Sequence, residues 1–207
     1  MIPEKKRKTA KALSLAVIIG GSMVITGWIF DIGVLKSISP AWVSMKIVTA
    51  VSFILSGITL YFIVRAMEGE FDKAQVALSI TSFIMILLMG ILFFSALLKI
   101  RTGVEDFFVK EPADAVRTVT PGRPSVPTML NFILIASAGV LTILNPKKLP
   151  SKLRIIGLIV GTIGSAAIVG YIMNAPMLYY FIEGINSAIA LHTAILFVLL
   201  GMGLLCL

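Results

Sequence analysis

The chain reads as an all-α polytopic membrane protein, with six transmembrane helices arranged as three hairpin repeats. Three observations predict this. Of the 207 residues, 58% are hydrophobic, above the roughly 45–50% of soluble domains. The apolar residues lie in continuous runs rather than alternating, which selects helices over barrel strands. A short pattern also recurs: Thr49-Phe53-Gly57, Thr128-Phe132-Ala136 and Thr193-Phe197-Gly201. Spacing of i, i+4 and i+8 puts each trio on one helical face, and a pattern copied three times marks a fold built from a copied unit.

The runs predict spans at 12–35, 43–64, 75–98, 127–144, 154–173 and 186–207, each near the ~20 residues needed to cross the hydrocarbon core. Ahead of the first, "MIPEKKRKTAK" resembles the head of a secretory signal. The apolar run after it is too long for a signal core and lacks a small-residue cleavage site, so it reads as a retained anchor. The turn "FDIGVLKSISPAW" carries Trp28 and Trp42 at its two sides, as suits a membrane–water interface. The second and third spans join through "RAMEGEFDKAQ". The longest connection, 99–127, follows. Its Pro112, Pro121, Pro124 and Pro127 oppose a long helix, and "GVEDFFV" suits a short interfacial segment with Phe107 and Phe108 in the headgroups. The fourth and fifth spans join through "NPKKLPSKLR", where Pro146 and Pro150 should stop helices. "NAPMLYYFIEGINS" then leads into the sixth. The repeats cover about 11–66, 75–145 and 153–207, within a single integral-membrane domain, 1–207.

Charge sets the expected orientation. The net charge is +8. With the N-terminus inside, the segments 1–11, 65–74 and 145–154 carry 11 Lys and Arg, against seven on the other side. That bias predicts a multi-pass protein of the plasma or inner membrane, with both termini cytoplasmic. The basic segments fit topology and anionic lipid rather than nucleic acid. The partners expected are therefore the lipid bilayer, other membrane chains, or a second copy joined through a cytoplasmic region.

Chemistry is sparse. The one cysteine, Cys206, excludes an internal disulfide and a CxxC metal site. The one histidine, His192, cannot form a multi-His metal site alone; it reads as a helix-end residue or a pH-responsive ligand contact. Lys46 can snorkel to headgroups or bind an anion. Asp31 and Glu183 lie near the membrane and need a partner such as Lys36, Lys46 or His192. No ionisable residue falls mid-span, unlike proton relays and most transporters of charged substrates. No cofactor, metal site or catalytic constellation is predicted, so the chain does not read as an enzyme. The repeated face has two readings. Phe53, Gly57, Phe132, Ala136, Phe197 and Gly201 make equivalent helix contacts. Alternatively the three threonines, suited to capping, also converge on an external pocket.

Three runs carry a resemblance: "SMKIVTAVSFILSGITL", "PGRPSVPTMLNFILIASAG" and "IALHTAILFVLLGMGLL". They are similar to runs in the N-terminal multi-helix membrane sensor regions, of the membrane-associated-sensor type, of bacterial and archaeal histidine kinases and diguanylate cyclases. The matching residues are Met45, Thr49, Ala50, Phe53, Leu55 and Gly57 in the first run. In the second they are Pro121, Gly122, Arg123, Thr128, Phe132 and Leu134. In the third they are His192, Thr193, Ala194, Phe197, Leu199 and Gly201. The second run departs at Met129 and Ala136, where the others have Ala and Gly, which predicts looser packing there. The resemblance implies a sensor or input domain that detects an extracytoplasmic or membrane-borne signal for a two-component or similar signalling output. That output is expected to lie outside these residues. Lys46, Thr49, Arg123, Thr128, Tyr179, Tyr180, Glu183, His192 and Thr193 are the expected ligand-binding residues at the outer mouth. The rival readings are a structural subunit of a larger membrane complex and a small-molecule transporter.

Overall fold

The computed structural model describes residues 3–109, 111, 115–180 and 187–207. Among the described residues the fold is all-helical. The helices are α1 (Glu4–Ile29), α2 (Gly33–Lys36), α3 (Ile47–Met67), α4 (Phe71–Leu97), α5 (Val126–Leu144), α6 (Leu149–Ile172) and α7 (Leu191–Leu205). Single 3-10 turns occupy Val104–Asp106 and Pro176–Leu178. Five helices, α1, α3, α4, α5 and α6, are long and apolar enough to cross a membrane. With 15 residues, α7 is shorter, about 22 Å against a hydrocarbon core of about 30 Å.

The helix ends depart from the apolar runs for identifiable reasons. The charged head is itself helical from Glu4, with Glu4 and Lys8 paired one turn apart at 2.7 Å. At the far end α1 stops at Ile29, because Asp31 adopts left-handed geometry (φ 55) and the Ile32 N–H returns to the Gly27 carbonyl. The second span begins at 47 rather than 43. Met45 donates its N–H to the Lys36 carbonyl (2.9 Å) and its own carbonyl accepts from the Trp28 indole (2.8 Å), so its backbone is committed to the turn. The last helix begins at 191 rather than 186 for the same reason. The Ile189 N–H bonds the Tyr179 carbonyl (2.8 Å), and its carbonyl accepts from the Tyr171 hydroxyl (2.9 Å). Pro150 does not stop a helix; it sits in the first turn of α6, where the missing N–H has no intrahelical partner anyway.

In the bundle α1 packs along α3, α4 along α5, and α6 along α7. The outer helices α1, α4 and α6 bury residues at one shared spacing. These are Ala10, Ser14, Val17, Gly21, Val24 and Gly27 on α1, and Leu78, Ser82, Met85, Met89, Leu92 and Ser95 on α4. On α6 they are Leu153, Gly157, Val160, Gly164, Ala167 and Gly170. Each of these helices is followed by a left-handed residue, Asp31, Lys99 or Asn174 (φ 55, 55 and 51). The next N–H then returns to Gly27, Ser95 or Gly170, at 2.8, 3.1 and 2.8 Å.

The inner helices α3, α5 and α7 meet on their phenylalanines. Phe53, Phe132 and Phe197 are fully buried, and their ring centroids lie 4.8, 4.9 and 5.1 Å apart pairwise, edge-on or tilted. Such pairs add about 0.5–1.5 kcal/mol each beyond burial. Around this plug two of the helix pairs approach backbone to backbone. A methyl on Gly57 would stand 2.8 Å from the Ser14 carbonyl oxygen, and one on Gly201 2.7 Å from that of Gly157. Between α4 and α5 the close approach is to a side chain instead: a methyl on Gly139 would meet the Ser82 hydroxyl.

Candidate functional site

The residues of interest gather at the end of the bundle where α3, α5 and α7 begin. The long segment after α4 lies across this head and is tied down by buried charge. Glu111, 5% exposed, is the first tether. Its Oε1 accepts from Lys46 Nζ (2.5 Å) and Ser44 Oγ (3.1 Å), and its Oε2 from the Gly122 N–H (2.7 Å). Lys46 also donates to Thr118 Oγ1 at 2.7 Å. The lysine therefore does not snorkel: the carboxylate folds in over it.

Glu105, fully buried, is the second tether. Arg123 donates to it through Nη2 at 2.7 Å and to the Ile100 carbonyl at 2.5 Å. Ser95 Oγ (2.8 Å) and Thr102 complete its shell. Burial pushes the Glu105 carboxyl upward. The bonds from Arg123, the local backbone, Ser95 and Thr102 outweigh it and hold the group at about 2. A third tie links Arg117 to the Tyr179 hydroxyl; Tyr179 stacks on Tyr171 with centroids 4.1 Å apart.

The expected site residues do not share one place. Thr49, Thr128 and Thr193 line one small polar void together with Lys46, Ser44 and Ser125. Arg123 and Tyr179 serve the tethers. His192, half-buried, precedes Thr193 in the chain but does not line the void, and its Nδ1 is buried with no hydrogen-bond partner among the described residues. Tyr180 is partly buried against the core. Glu183 lies outside the described residues. Asp31 pairs with Lys36 (2.5 Å), whose hydrogen bond and charge lower its pKa. Phe107, 76% exposed, and Phe108 project from the head.

The threonines do not cap their helices. Each stands at the third helical position, and the capping positions are Lys46, Ser125 and Ala190. Only Ser125 caps, accepting from the Thr128 N–H.

Beside the tethers opens a cleft of about 480 Å³, walled by Trp28, Trp42, Lys36, Ser44 and Glu111. Sequence reasoning missed Glu105, Glu111 and Arg117 as site residues. The available signal was that buried Lys46 and Arg123 need carboxylates, and that the 99–127 segment is where acids were to be found.

Compared with known proteins, the chain matches no family model, no curated protein and no solved structure.

Proposed function

We propose that this chain is a membrane-embedded input module of six spans, made of three hairpin repeats with both termini cytoplasmic. It detects an extracytoplasmic or membrane-borne signal at the tethered head and passes it to a cytoplasmic signalling output outside these residues. The observation that carries this reading is the contrast between head and core. The starts of α3 and α5 are held by exchangeable polar contacts, Lys46–Glu111 and Arg123–Glu105. Below them the same helices are locked by the Phe53, Phe132 and Phe197 rings. A signal that remakes the head contacts would then move the inner helices as rods. Such coupling requires the signal to bind two arrangements with different affinity.

The repeat reading is supported by the shared burial spacing of α1, α4 and α6 and by the equivalent left-handed stops. The sealed axis favours an input module over a transporter, because fully buried phenylalanines stand where a polar path would run.

The test is output from a chimera. With the chain fused ahead of a cytoplasmic histidine kinase, Glu111→Gln and Lys46→Met should each change autophosphorylation several-fold at unchanged membrane insertion. Output equal to the parent in both variants overturns the reading. Orientation is tested separately, by impermeant amine labelling of whole cells: Lys99 should react and Lys148 should not.

A further inference from the structure

The three threonines of the repeated motif occupy equivalent positions at the third residue of α3, α5 and α7, yet their surroundings differ. In α5 the Thr128 N–H is capped by Ser125, whose Oγ also lies 2.7 Å from Thr128 Oγ1. In α3 and α7 the capping residues are Lys46 and Ala190, which have no side-chain acceptor, and neither helix has a side-chain cap. The first-turn N–H groups of these two helices, Thr49 and Thr193 included, are left without an acceptor of the usual kind. The two hydroxyls share the deficit. Thr49 and Thr193 are each 2% exposed, and neither side chain makes a hydrogen bond among the described residues. Both face the same void.

The void is shaped for a single small occupant. The centre of a water-sized sphere ranges over about 10 Å³ within it, enough for one water or one slightly larger sphere and too little for a polyatomic ion. Its polar lining is Thr49, Thr128, Thr193, Ser44, Ser125 and Lys46, with no carboxylate among the lining residues. The Glu111 carboxylate stands behind Lys46, and its oxygens are taken by Lys46, Ser44 and the Gly122 N–H. The ammonium donates to Glu111 and Thr118, which leaves its third proton. The positive ends of three helix dipoles converge on the same point.

We propose that a monatomic anion of chloride size occupies this void and serves as a shared N-cap for α3 and α7. One ion would accept from the Thr49 and Thr193 first turns, from both hydroxyls and from Lys46. It would do for two helices what the Ser125 side chain does for α5. The site stands whether or not the chain is an input module, and its failure would leave that reading intact.

The test uses the purified full chain in detergent. Thermal unfolding is followed in chloride, bromide and gluconate at equal ionic strength. The parent should melt about 2–4 °C higher in the halides than in gluconate, the shift that a bound ligand of modest affinity produces in a chain of this size. Thr49→Val with Thr193→Val, which keeps side-chain shape, should lose most of that difference. Crystals grown in bromide should show an anomalous peak between residues 49 and 193. Equal melting of the parent in all three salts, an undiminished halide effect in the double variant, or water alone between the threonines would each overturn the proposal.

Discussion

The first and last helix pairs make the same joint, while the middle pair makes a different one at the same place. In α1/α3 and α6/α7 the small residues let backbones touch, and an aromatic donor closes the head. Trp28 bonds the Met45 carbonyl in one, and Tyr171 bonds the Ile189 carbonyl in the other. In α4/α5 the corresponding residues are Ala96 and Pro124, which cannot make that bond. The closure there is ionic, with Arg123 drawn between Glu105 and the Ile100 carbonyl. The lesson is that one backbone register accepts two kinds of fastening. The ionic one comes with a longer segment, which brings the buried carboxylates of Glu105 and Glu111 to the head.

The largest test breaks the comparison, because it strikes the aromatic plug to which α3, α5 and α7 each contribute a ring. Phe53→Ala removes the ring shared by Phe132 and Phe197, and is expected to cost about 3–5 kcal/mol. Chemical unfolding in detergent should register this as loss of a single cooperative transition at the parent's midpoint. Glu105→Gln acts on the middle pair alone. It leaves Arg123 buried without its counter-charge, a loss of about 3 kcal/mol or more, visible as early proteolysis within 99–125 while α1/α3 stays protected.

Acid should do the same reversibly. The folded carboxyl of Glu105 is depressed to about 2 from the usual 4.5. Its stabilisation is therefore present in full above about pH 4.5 and is lost as pH falls through 2. Hydrogen exchange at pH 6 and pH 2.5 should show the middle head loosening first. Equal loosening of all three heads would sink the distinction.

Gly201→Ala sharpens the contrast in the other direction. Its methyl would meet the Gly157 carbonyl and Gly161 backbone at 2.7 Å, so about 1–3 kcal/mol should be lost; Ala136→Gly should cost less. The smallest effect belongs to Trp28→Phe, which removes one donor from the Met45 carbonyl. About 1 kcal/mol is expected by thermal melting.

Much of this was legible in the apolar runs. Helices long enough to cross a membrane follow from hydrophobicity alone, and the Thr-Phe-small pattern marked the residues that meet at the axis. The helix ends were not legible. The backbones of Met45 and Ile189 are engaged by residues elsewhere in the chain, and local pattern carries no trace of that. Nor was the fate of Lys46 legible, since a lysine near a helix start snorkels unless a distant carboxylate reaches it.

By itself, then, the order of residues determined which segments are helices and which faces are small or aromatic, because these follow from side-chain volume and a period of 3.6. Only the tertiary structure decided that three phenylalanines share one plug, that Glu105 and Glu111 fold inward over Arg123 and Lys46, and that Thr49 and Thr193 face one void. Those outcomes depend on how a long segment closes over the bundle. That closure is driven by the need of buried charges and unpaired N–H groups for partners distant in sequence.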